Sequence, residues 1–515
     1  MLSVSHLTIY HEKDLRLLMD DVSFTLSGKD RLALIGEEGN GKSTLLKAIF
    51  DPALIAPYAA MTGVISAPGE KLGYLSQDIP REHADLPVYD FCALQDAFLS
   101  ASPKVLSSLC AWLHLHPDTV YSPQPLSTLS GGEKVKVRLL LTLLNEPTML
   151  LLDEPGNDLD LHTLRFLEHF LLTCDLPVLF ISHDETLLSR TTTGILHLEQ
   201  AYRKTTPRWT LSSTSYADYM ENRARALQYQ EQQAQNEKRQ ERIRQEKFDR
   251  IQQAVEHAQS TISRQDPHGG RLLKKKMKAV KSLEKRFERE RQDQTQRPNV
   301  EYAIDAAFEG DNTVPNGKTV LDLTLPTLSV GDRILARDVR LLMTGPEKVI
   351  LMGDNGCGKT TLLRRIADDL LARKDLRAVY MPQRYEDLLD EAKTPVEFLH
   401  TRGDKDQLTQ VRTYLGALKF TREEMAHPIR DLSGGQKAKL LLLHMILKEA
   451  NVLILDEPTR NLSPLSAPVF RDMITGFQGA VLCVTHDRML MDMWPGRILR
   501  MTPDGLAETS PREYT

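Results

Sequence analysis

One set of sequence motifs occurs twice in this chain of 515 residues, and the repetition constrains its fold more than any other feature. Three motifs recur with the same spacing of 303 residues. They are Ser-Gly-Gly at Ser130 and Ser433, Asp-Glu-Pro at Asp153 and Asp456, and His-Asp at His183 and His486. Because a shared offset is typical of a duplicated domain, the chain is predicted to contain two domains of one type.

Each copy alternates apolar, β-rich runs with helical segments. This alternation is typical of an α/β fold in which helices cover a mostly parallel sheet. Buried strands are predicted at 31–35, 149–152 and 177–181 in the first copy, and at 348–352, 451–455 and 480–484 in the second. We predict a first domain over residues 1–215, a linker over 216–300 and a second domain over 301–515.

The linker pattern predicts a long antiparallel α-helical hairpin. Neither glycine nor proline occurs between residues 207 and 267 or from 271 to 297, and apolar residues on both sides step by three and four. This pattern indicates helix, turn and helix, with the two apolar stripes packed together. An uninterrupted helix over 216–262 would be roughly 70 Å long. A coiled-coil stalk made only for dimerisation is the alternative.

Basic charge is concentrated in this linker, although the net charge of the whole chain is -5. Residues 221–297 contain 20 Lys and Arg against 12 Asp and Glu, a local balance of +8. A concentrated basic segment favours phosphate-rich partners, whereas a solvated helix of mixed charge is the alternative interpretation.

The composition argues against a membrane-spanning or secreted protein. Apolar residues make up 41% and charged residues 26%, and no run approaches the ~18 apolar residues that span a bilayer. The amino terminus lacks the pattern of a secretory signal. Five scattered cysteines without paired spacing favour free thiols in a reducing cytoplasm.

Two glycine-rich segments match the P-loop pattern, in which backbone N–H groups and a helix start bind phosphate while a lysine adds charge. Ser43 and Thr360 offer the hydroxyl that coordinates Mg²⁺. The candidate ATP-binding residues are Gly36, Gly39, Asn40, Gly41, Lys42, Ser43 and Thr44 in the first copy, and Gly353, Asn355, Gly356, Cys357, Gly358, Lys359, Thr360 and Thr361 in the second.

A predicted buried strand in each copy ends in two carboxylates, at Asp153-Glu154 and Asp456-Glu457. The carboxyl ends of strands are where an α/β sheet places its ligand crevice. We expect each aspartate to help hold the metal and each glutamate to polarise a water.

The segments 129–133 (Leu-Ser-Gly-Gly-Glu) and 432–436 (Leu-Ser-Gly-Gly-Gln) resemble the signature of ATP-binding-cassette (ABC) ATPases. The resemblance implies two tandem ABC domains that sandwich two ATPs, each held by one P-loop and capped by the other domain's signature. It also implies that Gln77 and Gln383 reach Mg²⁺ and that His183 and His486 contact the terminal phosphate. The signature residues expected to cap ATP are Ser130, Gly131, Gly132, Ser433, Gly434 and Gly435.

The two copies differ at two places. Asp160 stands where the family has its D-loop aspartate, whereas the second copy has Ser463, so one interdomain contact is expected to be altered. Tyr10 stands where an adenine-stacking aromatic is expected, whereas Val330 takes the comparable place in the second copy. Because Glu154 and Glu457 are both present, both sites are expected to hydrolyse ATP.

Two ABC domains joined by a charged helical hairpin resemble the ABC-F family of ribosome-binding ATPases. The resemblance implies binding at the ribosomal exit site, with the hairpin reaching along peptidyl-tRNA and large-subunit rRNA toward the peptidyl-transferase centre. It also implies a monomer whose two domains pair within one chain. The candidate RNA-binding residues near the hairpin tip are Arg264, His268, Arg271, Lys274, Lys275, Lys276, Lys278 and Lys281.

Within that family the sequence favours ribosome protection against antibiotics. Only 53 residues separate Gln77 from Ser130, and 50 separate Gln383 from Ser433, so the inserted arm of housekeeping members is absent. The segment 456–466 resembles the form found in resistance members. A housekeeping translation factor is the first alternative, and the ATPase subunit of a transporter is the second.

Overall fold

The computed structural model describes residues 1–13, 15–77, 79–157, 159–200, 206–261, 275, 278, 282, 312–331, 333–400, 403–418 and 420–509. Contacts divide the chain into two compact units, Met1–Tyr216 with Glu301–Thr515, and Ala217–Val300. The first unit contains the two α/β domains, and the second contains the linker.

The first domain is built around two sheets. Its strands are β1 (Leu2–His11), β2 (Leu17–Leu26), β3 (Arg31–Ile35), β4 (Ala59–Ser66), β5 (Leu72–Leu75), β6 (Met149–Asp153), β7 (Val178–Ile181), β8 (Gly194–Gln200) and β9 (Thr206–Ser212). The central sheet has the order β5-β6-β7-β3-β8-β9, in which β9 runs antiparallel to β8. The second sheet, β2-β1-β4, is antiparallel.

Helices of the first domain cover these sheets and form a separate cluster between β5 and β6. They are α1 (Lys42–Phe50), α2 (Val88–Ala93), α3 (Asp96–Ser100), α4 (Pro103–Trp112), α5 (Pro117–Val120), α6 (Gly131–Leu144), α7 (Leu161–Thr173) and α8 (Glu185–Thr191).

The linker begins with one long helix, α9 (Tyr216–Thr261), of 46 residues. At ~1.5 Å per residue it is roughly 70 Å long, as predicted. Ion pairs one turn apart, such as Arg225 with Glu221, line its surface. The predicted hairpin turn and most of the return arm lie outside the described residues, so the hairpin stays a prediction.

The second domain repeats the central sheet. Its strands are β10 (Thr319–Val330), β11 (Arg333–Thr344), β12 (Lys348–Met352), β13 (Ala378–Met381), β14 (Val452–Asp456), β15 (Ala480–Val484), β16 (Arg497–Thr502) and β17 (Gly505–Thr509). Its helices are α10 (Lys359–Leu371), α11 (Pro395–Leu399), α12 (Lys405–Ala417), α13 (Arg422–Ala426), α14 (Gly434–Leu447), α15 (Ala467–Gly476) and α16 (Arg488–Asp492). The sheet order, β13-β14-β15-β12-β16-β17, matches that of the first domain, and β10 pairs with β11.

The predicted α/β fold with two tandem domains is confirmed, because β3, β6, β7, β12, β14 and β15 form where apolar runs predicted buried strands. All five residues of β6 and of β14 are buried, as expected for central strands covered on both faces. In both domains α1 or its counterpart α10 packs into the core of the sheet.

Within the described ranges, no helix combines the length and the apolar character needed to cross a membrane. The five cysteines are free thiols.

Candidate ATP-binding sites

Both glycine-rich loops connect a central strand to a helix with the same geometry. Gly36 has a φ of 148°, and a Cβ there would lie 2.2 Å from the Leu198 carbonyl oxygen, so only glycine fits. Lys42 Nζ donates to the Gly36 and Glu37 carbonyls at 2.8 and 3.1 Å. Each loop therefore wraps around its lysine, which is the arrangement that a phosphate-binding loop requires.

The second loop repeats these contacts, since Lys359 Nζ donates to the Gly353 and Asp354 carbonyls at 2.6 and 3.0 Å. Not every predicted loop residue turns its side chain toward the site. Asn40 is buried and donates to the Leu198 carbonyl at 3.1 Å, and Cys357 packs against the core of the second domain. These two positions can serve phosphate through their backbone N–H groups.

Tyr10 lies near the end of β1, where it pairs with Leu17 and Ala60. From the same hairpin, Arg16 Nη2 donates to the Gly39 carbonyl at 3.0 Å. Sequence reasoning missed this contact between the β1–β2 hairpin and the first P-loop. In the second domain, Leu335 lies against the P-loop as Leu18 does in the first, because a Cβ on Gly358 would lie 2.8 Å from Leu335 Cδ1 and a Cβ on Gly41 would lie 3.3 Å from Leu18 Cβ.

The aspartates that end β6 and β14 are both buried next to the P-loop hydroxyls. Ser43 Oγ donates to Asp153 Oδ1 at 2.9 Å, and Tyr74 OH donates to Oδ2 at 3.2 Å. Burial raises the pKa of Asp153. Burial also raises the pKa of Asp456, whose two oxygens accept no hydrogen bond even though the Thr360 hydroxyl is close enough to lower that pKa.

Asp456 is a buried carboxylate that accepts no hydrogen bond and lies beside a hydroxyl, which is an environment suited to a magnesium ion. The described residues contain no group of three or more His, Cys, Asp or Glu side chains that could hold a metal. Mg²⁺ needs no such cage, since one or two carboxylates plus substrate phosphates and waters complete its oxygen shell. The pairs Ser43–Asp153 and Thr360–Asp456 fit this requirement.

Glu154 lies in a hydrogen-bonded cluster that spans the two domains. Its Oε2 accepts from Gln77 Nε2 at 3.0 Å and from Asn157 Nδ2 at 2.5 Å, while Oε1 lies 3.1 Å from His183 Nε2. His183 Nδ1 in turn lies 2.7 Å from the carbonyl oxygen of Leu462 in the second domain. The predicted histidine and glutamine of the first site therefore meet at one carboxylate.

The charge states of the two glutamate–histidine pairs differ. Burial opposes ionisation of Glu154, but His183 outweighs it and lowers the glutamate pKa to about 2; Glu154 likewise raises the pKa of His183 against the effect of burial. In the second domain burial dominates, raising the pKa of Glu457 to about 8 and lowering that of His486 to about 3. The attraction between glutamate and histidine therefore governs the pKa shifts of the first pair, whereas burial governs those of the second.

His486 also differs in its contacts. Its backbone N–H donates to Glu457 Oε2 at 3.1 Å, and its Nε2 lies 3.7 Å from Glu457 Oε1. Neither ring nitrogen has a hydrogen-bond partner, although both are buried. The ring is thus available to a ligand in the space beside it.

That space is a cavity of about 870 Å³, which lies within the range of small-molecule sites. Residues of both domains line it. Its lining includes Lys359, Thr360, Thr361, Gln383, Asp456, Glu457 and His486 from the second domain, Gly131 and Lys134 from the first signature, and Glu154 and His183 from the first domain. Val330, which is 55% exposed, lies on its wall with Leu335. The structure therefore brings the second P-loop and the first signature together, and we call this place site 2.

The signature serine also has a structural role. Ser130 Oγ accepts from the Glu133 N–H at 3.2 Å, while Glu133 Oε2 accepts from the Ser130 N–H at 2.9 Å. Ser433 and Gln436 do the same at the start of α14. These capping boxes fix the helix starts whose N–H groups face the opposite domain.

The corresponding place between the first P-loop and the second signature, site 1, is packed with carboxylates. Glu38 Oε2 accepts from Ser433 Oγ at 3.2 Å, and a Cβ on Gly435 would overlap the Glu38 carboxylate. Burial raises the pKa of Glu38. The start of α14, which faces the first P-loop, is thus covered by an acidic side chain of that loop.

Glu37 makes the second contact of site 1. Its Oε1 accepts from Ser463 Oγ at 2.6 Å and from Ser466 Oγ at 2.8 Å, and Lys439 Nζ lies 3.3 Å from Oε2. Burial raises the pKa of Glu37, but Lys439 and the two serines outweigh it, so the pKa is lowered. Ser463, expected to alter an interdomain contact, does contact the other domain.

In site 2 the carboxylate of this interdomain contact belongs to the D-loop of the first domain and not to the P-loop. Asp160 caps α7 through the Thr163 N–H at 2.9 Å and accepts a backbone hydrogen bond from Asn355 of the second P-loop. The carboxylate therefore lies on the D-loop in site 2 and on the P-loop in site 1. Sequence reasoning missed Glu37, Glu38, Lys439 and Ser466; the only signal was an acidic pair where the second P-loop has Asp354-Asn355.

The structure describes only two of the eight predicted linker-tip residues. Lys275 and Lys278 are described, both helical and exposed. Arg264, His268, Arg271, Lys274, Lys276 and Lys281 lie outside the described residues.

Comparisons with known proteins agree with this geometry. The family model described as "ABC transporter" matches residues 19–157 and 336–460. ATP-binding protein Uup of Escherichia coli (strain K12) is 29% identical over 92% of this chain and 76% of its own length. Ribosome protection protein VmlR of Bacillus subtilis (strain 168) is 28% identical over 96% of this chain and 86% of its own length.

Probable ATP-binding protein YheS of Escherichia coli (strain K12) is 27% identical over 93% of this chain and 75% of its own length. Among solved structures, the archaeal ribosome recycling factor aABCE1 in complex with the ribosomal stalk protein aP1 has a TM-score of 0.59 at 15% identity, covering 98% of this chain and 90% of that one. At that identity the likeness shows the fold alone.

Uup, YheS and VmlR are ABC-F proteins. The chain therefore belongs to the ATP-binding-cassette family, with two tandem ABC domains, and the ABC-F resemblance predicted from its sequence is confirmed.

Proposed function

We propose that this chain is a cytoplasmic, magnesium-dependent ATPase that binds the ribosome at the exit site and protects it from antibiotics. The observation that carries the proposal is site 2, where the second P-loop and the first signature line one cavity within a single chain. ATP binding in such a place pulls the two domains together, and hydrolysis releases them. The protein acts as a monomer whose domains pair internally.

The residues divide the chemistry between them. Lys42 and Lys359, with the N–H groups of their loops, bind the phosphates of ATP. Mg²⁺, when bound, neutralises charge on those phosphates, and Ser43, Asp153 and Gln77, or Thr360, Asp456 and Gln383, hold it. Glu154 and Glu457 orient and polarise the attacking water, while His183 and His486 contact the terminal phosphate.

The linker supplies the ribosome contact. Helix α9 is roughly 70 Å long, and its surface carries charged side chains throughout. The basic segment 264–281 follows it in the sequence. Lysine and arginine read the phosphates and shape of RNA, and such contacts weaken as salt rises. We propose that this segment reaches the peptidyl-tRNA and the rRNA near the peptidyl-transferase centre.

The relatives support two versions of this role. VmlR is named a ribosome protection protein, which favours antibiotic resistance. Uup and YheS, whose names state only ATP binding, are similar to nearly the same degree, so a housekeeping role in translation is the second candidate.

The test is ribosome cosedimentation of the Glu154→Gln/Glu457→Gln variant. With both glutamates disabled, ATP is bound but not cleaved, so we expect the variant to pellet with ribosomes in ATP and to remain in the supernatant in ADP. Glu146→Gln/Glu449→Gln is the matched control, because these exposed glutamates share the 303-residue offset and a left-handed φ of 48° and 49°. Absence of the double variant from the ribosome pellet in ATP would contradict the proposal.

A drug-susceptibility panel separates the two roles. Expression of the wild-type chain in a sensitive host should raise the inhibitory concentration of drugs that bind near the peptidyl-transferase centre. An unchanged panel, combined with ATP-dependent ribosome binding, would favour the housekeeping role.

A further inference from the structure

The two domains carry opposite charges at equivalent positions of the surface they share. At the motif offset of 303 residues, Glu168 of α7 corresponds to Arg471 of α15, and Glu185, the first residue of α8, corresponds to Arg488, the first residue of α16. We call these four residues the charge-swapped cluster. At both equivalent positions an acid in the first domain is replaced by a base in the second.

The four side chains pair crosswise between the domains. Arg471 Nη1 lies 2.5 Å from Glu185 Oε1, and Arg488 Nη1 lies 2.9 Å from Glu168 Oε2. Exchanging the two domains by the pseudo-twofold symmetry of the duplication turns each ion pair into the other with its charges reversed. The paired positions in the two domains are therefore equivalent, but the charges at those positions are opposite.

These two ion pairs are buried, whereas most other ion pairs among the described residues are exposed to solvent. The exposed fraction of the side chain is 5% for Arg471, 3% for Arg488, 10% for Glu168 and 12% for Glu185. Desolvation makes such a pair costly to form, and removal of one partner is strongly destabilising because the other charge stays buried. Correct matching therefore matters far more here than at a surface pair.

Other charged groups complete the network around the arginines. Arg471 Nε donates to Asp487 Oδ2 at 2.7 Å within the second domain, and Arg488 Nη2 donates to Asp184 Oδ2 of the first at 2.8 Å. Arg190, which is half-exposed, donates to Glu168 Oε1 at 3.0 Å. Asp184 and Asp487 are acidic in both copies, whereas Arg190 corresponds to Met493, so the difference in charge between the domains comes from the charge-swapped cluster and from Arg190.

We propose that the charge-swapped cluster specifies which domains pair. Two first domains brought together in the same geometry would oppose Glu185 to Glu168, and two second domains would oppose Arg488 to Arg471. Buried like charges disfavour both arrangements, which is how repulsion creates specificity. The partner that this surface fits is the opposite domain, and pairing between two first domains or two second domains is disfavoured.

The test compares charge reversals on one side with reversals on both. Glu168→Arg/Glu185→Arg makes the cluster all basic, and Arg471→Glu/Arg488→Glu makes it all acidic. Each should lower the ATPase rate of the purified full-length chain at least about tenfold, because both ATP sites need paired domains. The quadruple reversal restores opposite charges and should regain most of the lost activity despite carrying more substitutions.

A second measurement covers poor folding of the quadruple variant. Mixing the all-basic chain with the all-acidic chain should restore activity and produce a one-to-one complex in sedimentation, since a basic domain of one chain then matches an acidic domain of the other. Wild-type activity of both one-sided variants, or no recovery in either the quadruple variant or the mixture, overturns the proposal.

The control is Arg340→Glu/Arg430→Glu, which reverses two exposed arginines of the second domain in ion pairs with Asp338 and Asp431. It should keep wild-type activity, since exposed pairs contribute little. All readouts use protein without ribosomes. The inference depends on ATP sites formed between the domains and not on ribosome binding, so each can fail without the other.

Discussion

Sites 1 and 2 share the P-loop, signature, Asp-Glu and His-Asp motifs and differ in the residues that surround them. In site 2 the P-loop, Asp456 and His486 border an open cavity of about 870 Å³ that is also lined by the first signature and by Glu154 and His183. In site 1 the carboxylates of Glu37 and Glu38 contact the second D-loop and signature instead. The motifs fix the backbone of both sites, whereas two variable loop positions decide which groups lie between the domains. Duplicated motifs therefore do not imply duplicated sites.

The largest expected effect comes from exchanging the residues that correspond at the third loop position, Glu38 in site 1 and Asn355 in site 2. Glu38→Asn should tighten ATP binding at site 1 about thirtyfold, because a carboxylate no longer competes with phosphate at the start of α14. Asn355→Glu should weaken binding at site 2 by a similar factor. A fluorescent ATP analogue measures each affinity with the other site disabled by Lys359→Ala or Lys42→Ala.

Glu82→Asn is the control for this exchange, since Glu82 is exposed and lies outside the loop. Equal ATP affinities of the wild-type sites, unchanged by either substitution, would remove Glu38 as the source of the difference.

A smaller effect is expected from Glu37, which we interpret as a positioning residue. Glu37→Gln should lower the ATPase rate of site 1 about tenfold in a Glu457→Gln background, because Ser463, Ser466 and Lys439 lose their shared anionic acceptor. Glu37→Asn combined with Ser463→Asp returns the carboxylate to the D-loop, as in site 2.

We expect this relocation to recover the turnover rate, measured by phosphate release at saturating ATP. If Glu37 had only a structural role, a carboxylate placed on the opposite domain would not restore the turnover rate. A combined variant no faster than Glu37→Gln alone would therefore reject the positioning role.

The smallest expected effect concerns the binding of the adenine ring of ATP. Val330 lines the cavity of site 2 and is 55% exposed, so Val330→Tyr should add a stacking surface and tighten ATP binding about threefold. The same titration measures it with site 1 disabled. Val330→Leu is the control, because it adds apolar area without a ring; a gain equal to that of tyrosine would show that stacking is not the cause.

Local features of the fold were predictable because their causes are local. Apolar runs gave the central strands, and the glycines and lysines of both P-loops lie where their spacing placed them. The roles of Glu37, Glu38, Arg471 and Arg488 were not predictable, since each depends on a partner about 290 to 430 residues away across the interface. The pattern of apolar residues in a helix predicts which face is buried, but not which charged side chain of another domain packs against that face.

The same limit applies within a site. Glu154 and Glu457 follow identical Leu-Asp sequences, yet His183 Nε2 lies 3.1 Å from Glu154 whereas the ring of His486 makes no hydrogen bond. Their different pKa values arise from neighbours that no motif records.

Glu154 and Glu457 also share a backbone conformation, with φ angles of 50° and 52°. Side chains other than glycine adopt this left-handed region at a cost, and such outliers cluster where function requires them. The fold would be relieved by glycine at both positions, and ATP turnover would be lost with the carboxylate. Stability and turnover therefore make opposite demands at these two positions, and only a change from glutamate to glycine would exchange ATP hydrolysis for a more stable backbone.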